Sequence, residues 1–344
     1  MELTSHFQEL PWNPDDPAWA GVGEHRRILL LGEPDSGKSA LAASLAGGLD
    51  PRNGPIRCID ADLGSPSFGP PGAVSLGEWR GDGWQLVAYE PVCSLDAARF
   101  RLPLVQAVAK LARPLDDGVL LVDTPGVVRG MAGAELCTGL LDAAHADAVI
   151  ALHREAIPLA EELAACGAAV FLVTAAGQAK KTNAALRARR RTQAWNQFIK
   201  DSVSIEVSLA DLRLLGATPP AATPDAWRGR QVAFGCGGRW CGFGEVVELQ
   251  AVKLVARVVG TVEGAEHLLM RDAARGANNE LRSAKATAPP RPHIKQSSRE
   301  PMEVRGGPLV TKLVNGVTGD PLLMLRRRFR RERLVFDVGE AQSL

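Results

Sequence analysis

The sequence has almost no net charge, a single tyrosine and no C-x-x-C pair. The 40 Lys and Arg balance 39 Asp and Glu, leaving a formal charge of +1. That balance excludes a chain coated along its length with one sign of charge. The six cysteines, Cys58, Cys93, Cys137, Cys166, Cys236 and Cys241, are scattered, and none forms a C-x-x-C pair. This argues against a zinc ribbon or a disulfide framework and for incidental or buried thiols. Cys236 and Cys241 flank "GGRW", a spacing that predicts two thiols facing each other across a hairpin. No apolar stretch approaches the ~20 residues a membrane span needs. The opening "MELTSHFQELPWNPDDPAWAG" is acidic and has no apolar signal core, so the expectation is a cytoplasmic setting and no membrane partner. No internal repeat is present.

The near-neutral total hides an asymmetry. Residues 281–344 hold 13 Lys or Arg against 6 Asp or Glu, which suggests a polyanionic partner for that end. The densest part is "RRRFRRER", with Arg326, Arg327, Arg328, Arg330 and Arg331 ahead of Glu332. Two readings stand for it: a strand packed on the acidic remainder of the chain, or a track for nucleic acid.

From Arg27 to about Thr174, short apolar and β-branched runs alternate with amphipathic segments. The runs are "RILLL", "IRCIDAD", "WQLVAYEP", "GVLLVDTPG", "DAVIAL" and "AAVFLVT". The segments between them predict helices over Lys38–Ala46, Leu95–Leu111, Ala132–Ala144 and Ile157–Ala165. The fold class expected is α/β: a P-loop NTPase-type parallel sheet with helices on both faces, followed by a smaller β-rich C-terminal domain. The expected boundaries are a lead-in over 1–25, a P-loop domain over 26–205 with a basic segment at 179–200, and a small β-rich domain over 206–271. A linker or disordered span at 272–306, poor in apolar residues, and basic strands at 307–344 complete the chain.

Four stretches carry chemistry. "GEPDSGKS" follows a strand and leads into a helix with the spacing G-x-x-x-x-G-K-S. In that context Gly32, Glu33, Pro34, Asp35, Ser36, Gly37, Lys38, Ser39 and Ala40 predict a nucleotide cradle. Lys38 would reach the β/γ-phosphates and Ser39 would ligate Mg²⁺. "DADLGSPSFGPPG" places Asp60 and Asp62 two residues apart. They share a face while the chain stays extended and diverge if it has turned. Either they serve Mg²⁺ or an acceptor hydroxyl, or they are solvated turn carboxylates. "VLLVDTPG" ends a strand in Asp123, as a Mg²⁺-holding Walker B carboxylate does. D-T-P-G also resembles the switch of GTPases. However, the later strand continues as "FLVTAAGQAKK", with no Asp where guanine would be read. Finally, Lys180, Lys181, Arg187, Arg189, Arg190 and Arg191 cluster within twelve residues. They form either a solvated face or a set of cations for a transferring phosphoryl group or a nucleic acid.

In this order the motifs resemble those of the polynucleotide 5′-hydroxyl-kinase family, the P-loop kinases of RNA processing. "IDADLGSPSFGPPGAVSL" resembles a family segment with D-x-G-Q followed by P-P-G and a short apolar strand. "VDTPGVVRG" resembles N-T-P-G-W-V-K-G, "RARRRTQAWNQF" resembles the arginine-rich lid, and "LPWNPDDPAWAG" resembles the Pro/Trp lead-in. The similarity spans roughly Leu10 to Phe198. It implies ATP- and Mg²⁺-dependent phosphorylation of the 5′-hydroxyl end of RNA or DNA. Lys38, Asp62, Arg187, Arg190 and Arg191 would be catalytic, and Ser39, Asp60, Asp62 and Asp123 would be the metal set. Ser65 stands where the family has Gln, Val127 where it has Trp, and Gln197–Phe198 where it has an aromatic pair. These departures touch the acceptor side and the lid. They leave open a non-catalytic ATP-binding module of the same fold, in which a partner reads the ATP-ordered lid.

Overall fold

The structure, a computed structural model, describes residues 7–49, 54–175 and 183–284. Lys180, Lys181, the linker beyond residue 284 and the basic strands of 307–344 lie outside the described residues. Both sheets described below belong to one unit, Met1–Arg291.

The first sheet has eight strands. In chain order they are β1 (Gln8–Leu10), β2 (Arg27–Gly32), β3 (Ile56–Asp60), β4 (Ala73–Trp79), β5 (Trp84–Pro91), β6 (Val119–Asp123), β7 (Ala148–His153) and β8 (Ala169–Thr174). Their spatial order is β1-β8-β7-β2-β6-β3-β4-β5. The first six in that order pair in parallel, and β4 and β5 close the edge antiparallel. Helices are α1 (Lys38–Gly48), α2 (Arg101–Ala112), α3 (Gly130–Ala144), α4 (Ala160–Ala165) and α5 (Ala184–Phe198).

Both faces of the central strands are buried, which is why their sequences read as unbroken apolar runs. Leu29, Leu31, Ile59, Val122 and Val149 point to one face, where Leu104 and Val108 of α2 and Leu136 and Leu140 of α3 cover them. Ile28, Leu30, Cys58, Leu121 and Ile150 point to the other, under Leu41 and Leu45 of α1 and Trp19 of the lead-in. The lead-in also supplies an edge strand, with Gln8 in register with Phe171.

The α/β class read from the alternation holds, with differences of detail. "WQLVAYEP" is a strand, but an antiparallel one reached through the meander from β3. α2 begins at Arg101, not Leu95, because Ser94 and Asp96 accept backbone N–H groups of Asp96 and Arg99 and hold the chain in turns. Pro103 then sits in the first helical turn, where no N–H is needed. α4 starts at Ala160, after Pro158 and a left-handed Leu159.

The second sheet contains β9 (Val203–Ser208), β10 (Arg213–Gly216), β11 (Arg230–Cys236), β12 (Arg239–Gln250), β13 (Lys253–Gly260), β14 (His267–Arg275) and β15 (Leu281–Ser283). The order is β10-β14-β11-β12-β13-β9, with β15 on β14. Gly237 and Gly238, at φ 53° and 78°, form the two-residue turn between β11 and β12. The hairpin expected around "GCGGRWC" is present. Cys236 pairs in register with Arg239, and a register shift follows Phe234, so the two cysteines meet across an irregularity. Contact with Cys236 joins burial in raising the Cys241 thiol pKa. The linker boundary read at residue 272 falls inside β14. Leu281 of β15 is fully buried, and this lone apolar residue among charged neighbours is what the composition hid.

Candidate active site

The C-terminal ends of β2, β3 and β6 bring three of the motifs to one cleft of about 340 Å³. This is the end of an open α/β sheet where ligands sit. Its walls include Pro34, Asp35, Gly37, Lys38, Ser39 and Ala40 on one side and Asp62, Ser65, Pro66 and Ser67 on another. Asp123 and Thr124 form the floor, and Arg187, Arg190, Arg191 and Ala194 of α5 form the roof.

The loop from Gly32 to Gly37 has tight local causes. Gly37 caps α1 in the left-handed region at φ 102°, which a side chain adopts only at a cost. A Cβ there would also lie 2.6 Å from the Trp12 ring. The lead-in tryptophan therefore backs the loop. Lys38 is buried, and its Nζ donates to the carbonyls of Gly32 at 2.9 Å and Glu33 at 3.0 Å. Burial lowers its pKa, opposed by the charges of Asp123, Asp62, Asp35 and Asp60. Ser39 Oγ donates to Asp123 Oδ2.

Asp123 is 2% exposed. Burial raises its pKa to about 6; Lys38 and the Ser39 hydroxyl oppose that rise, and Asp62 adds to it. Its Oδ1 is enclosed without a hydrogen-bond partner. A buried orphan carboxylate oxygen beside a serine hydroxyl suits a hard divalent cation. Among the described residues no group of three or more His, Cys, Asp and Glu is poised for a metal. Mg²⁺ does not require one, since it is held by one or two carboxylates plus substrate phosphates.

Asp60 and Asp62 diverge. β3 ends at Asp60, whose Oδ1 accepts the Asp62 N–H and whose Oδ2 accepts both the N–H and Oγ–H of Ser67. Asp60 is fully enclosed, and burial and the Asp123 charge raise its pKa well above the carboxylate range. It lies behind the cleft wall, with no oxygen lining the cleft. Asp62 Oδ1 accepts the N–H groups of Gly64 and Ser65, while its side chain faces the cleft. Two different losses are therefore expected. Asp60→Asn should destabilise the fold by about 1–3 kcal/mol, because an amide cannot accept all three bonds. Asp62→Asn should leave the melting temperature close to wild type but cut turnover by about 10²-fold. A larger rate loss for Asp60→Asn in single-turnover assays of folded protein would reverse the assignment.

The α5 arginines reach the cleft at helical spacing i, i+3 and i+4, which puts them on one face. Arg187 Nη1 lies 3.2 Å from Asp35 Oδ2. Arg191 is partly buried and its Nε donates to the Leu281 carbonyl. Arg190 lines the cleft and is exposed. Arg189, read with them in the sequence, points elsewhere. Ser67, Thr124 and Ala194 also line the cleft. Thr124 lies in the D-T-P-G motif and Ser67 in "DADLGSPSFGPPG", but the sequence assigns neither a role.

The fold is an α/β chain with a mostly parallel sheet and an appended β-rich sheet. Solved structures similar to it include a Clp1p–Pcf11p complex, at TM-score 0.57 and 13% identity over 72% of this chain and 74% of that one, and a second Clp1p structure with Pcf11p, described as explaining ATP loss in a point mutant, at TM-score 0.56 and 12% identity. In sequence the chain resembles curated polyribonucleotide 5′-hydroxyl-kinases. It is 26% identical over 199 residues to one from Pyrococcus horikoshii, covering 56% of this chain and 54% of the relative. It is 26% identical over 205 residues to one from Methanocaldococcus jannaschii, covering 56% and 55%. The chain thus spans about half the length of the curated relatives it matches. No protein-family model matches it. The resemblance read from the motifs is to the same family as these relatives. Among the described residues no helix is long and apolar enough to cross a membrane.

Proposed function

We propose that this chain transfers the γ-phosphoryl group of ATP to the 5′-hydroxyl end of a polynucleotide, with RNA as the acceptor favoured by the names of its relatives. The observation that carries the reading is the cleft itself: Lys38, Ser39 and Asp123 lie below, Asp62 beside them, and three arginines above.

Phosphoryl transfer needs positioning and charge compensation more than covalent help. The loop N–H groups and the α1 N-terminus favour a polyphosphate at Gly32–Ser39. Lys38 gives up its two carbonyl partners to meet phosphate oxygens. Ser39 and Asp123 would hold Mg²⁺, which when bound neutralises charge on the phosphates. Asp62 has Oδ1 fixed by backbone, so Oδ2 is the atom that accepts or orients the hydroxyl proton. Arg187, Arg190 and Arg191 face the equatorial oxygens of the group in transit.

Label from γ-labelled ATP should appear on a 5′-hydroxyl oligoribonucleotide and not on one already 5′-phosphorylated. Unlabelled ATP should compete at least as well as GTP, because "FLVTAAGQAKK" carries no guanine-reading Asp. Strict GTP preference without acceptor labelling would move the assignment to a GTPase.

A further inference from the structure

The arginine face of α5 cannot orient itself. Arg187 with Arg190 and Arg191 places like charges at i, i+3 and i+4, which repel, and an isolated 15-residue helix is marginal in water. What sets its rotation is the buried flank beside that face, about a quarter turn round the helix. Trp195 is fully buried, and its Nε1 donates to Glu245 Oε2 at 2.8 Å. Arg275 Nε donates to the same oxygen at 2.9 Å. Arg257, opposite Glu245 in the β12–β13 register, lies 4.0 Å from Oε1. Its Nη2 also donates at 3.1 Å to the Ile199 carbonyl just past the end of α5. Trp195 stacks on Phe198 and meets Phe243 edge-on, with Tyr89 of the first sheet against both phenylalanines.

A second tether lies one turn away. Thr192 Oγ accepts the Leu281 N–H at 2.8 Å, and Arg191 Nε donates to the Leu281 carbonyl at 2.7 Å. Arg191 thereby spends one donor on β15 and keeps the rest of its guanidinium for the cleft. The second sheet thus grips α5 through a directional carboxylate and one strand residue. An apolar contact alone would fill the same space without fixing the rotation of the indole. A buried carboxylate is a poor source of stability and is better suited to fixing one arrangement.

We infer that Glu245 is a positioning residue for phosphoryl transfer, holding Trp195 and with it the rotation of α5 that aims Arg187, Arg190 and Arg191 into the cleft. The inference rests on the phosphoryl-transfer reading above. On this view the β-rich sheet is the mount of the arginine helix. Misplacement of catalytic groups by about 1 Å can cost about 10²-fold in rate.

The test combines kcat and KM for ATP with amide hydrogen exchange across Ala184–Phe198. Three full-length variants are compared: Glu245→Leu, Trp195→Phe, which removes the indole donor and part of the buried ring volume, and Glu245→Gln, which retains an acceptor. Glu245→Leu and Trp195→Phe should lower kcat by about 10–10²-fold with KM for ATP nearly unchanged. Glu245→Gln should recover part of the loss. Exchange should quicken in α5 while β11 to β14 remain protected. Should Glu245→Leu fail to fold, Trp195→Phe carries the same comparison. Wild-type kcat in folded variants with a loosened α5 would overturn the inference, as would unchanged exchange in α5. If the wild-type protein transfers no phosphate, the phosphoryl-transfer reading falls by itself, while the exchange arm still decides whether Glu245 holds the helix.

Discussion

Replacing Lys38 with alanine should reduce phosphoryl transfer by about 10³-fold or more, the scale on which a preorganised charge at the reacting group acts. The ammonium is held at the floor of the cleft by two loop carbonyls, Gly32 and Glu33. Four carboxylates around it, Asp123, Asp62, Asp35 and Asp60, oppose the loss of its proton on burial. Its removal takes away the cation that the loop holds at the floor of the cleft and leaves those acids uncompensated. Some stability should be lost as well, because removing one partner of a buried charge set leaves Asp123 uncompensated. Turnover and the melting temperature, measured on the same preparation, separate the two effects. Wild-type turnover in Lys38→Ala would exclude this loop from the reaction.

Arg190→Ala is expected to be nearly as severe, at about 10²–10³-fold. An arginine delivered over a transferring phosphoryl group is worth about 10³–10⁵, and here three share the task. Arg190 differs from its neighbours in its commitments. Arg187 is paired with Asp35 and Arg191 is bonded to Leu281, whereas Arg190 lines the cleft from an exposed position on α5. Arg189→Ala is the matched control, since it removes the same charge from the same helix outside the cleft wall. Equal losses for the two variants would mean that the helix contributes only a diffuse positive potential, and that loss would shrink with salt.

The parts legible in the sequence are those set by neighbours along the chain. The loop motif could be read because Gly37, Lys38 and Ser39 act at the junction of one strand and one helix. The central strands could be read because burial on both faces removes polar interruptions. β4 was visible only through the family likeness: "AVSLGEW" carries Ser75, Gly77 and Glu78 and looks broken, although β3 and β5 pair with it on both sides. The divergence of Asp60 and Asp62 could not be decided from spacing, since it depends on Ser67 reaching back across seven residues to end the strand. The grip on α5 was hidden for the same reason at longer range, with Trp195 and Glu245 separated by 50 residues.

The most direct measurement is a single-turnover reaction of the full-length protein with γ-labelled ATP, Mg²⁺ and a 5′-hydroxyl oligoribonucleotide, counting labelled RNA ends against ADP formed. Phosphoryl transfer to the 5′-hydroxyl predicts one labelled end for each ADP, with both products lost together in Lys38→Ala. ADP without labelled ends, or nucleotide bound and recovered intact as ATP, would contradict it.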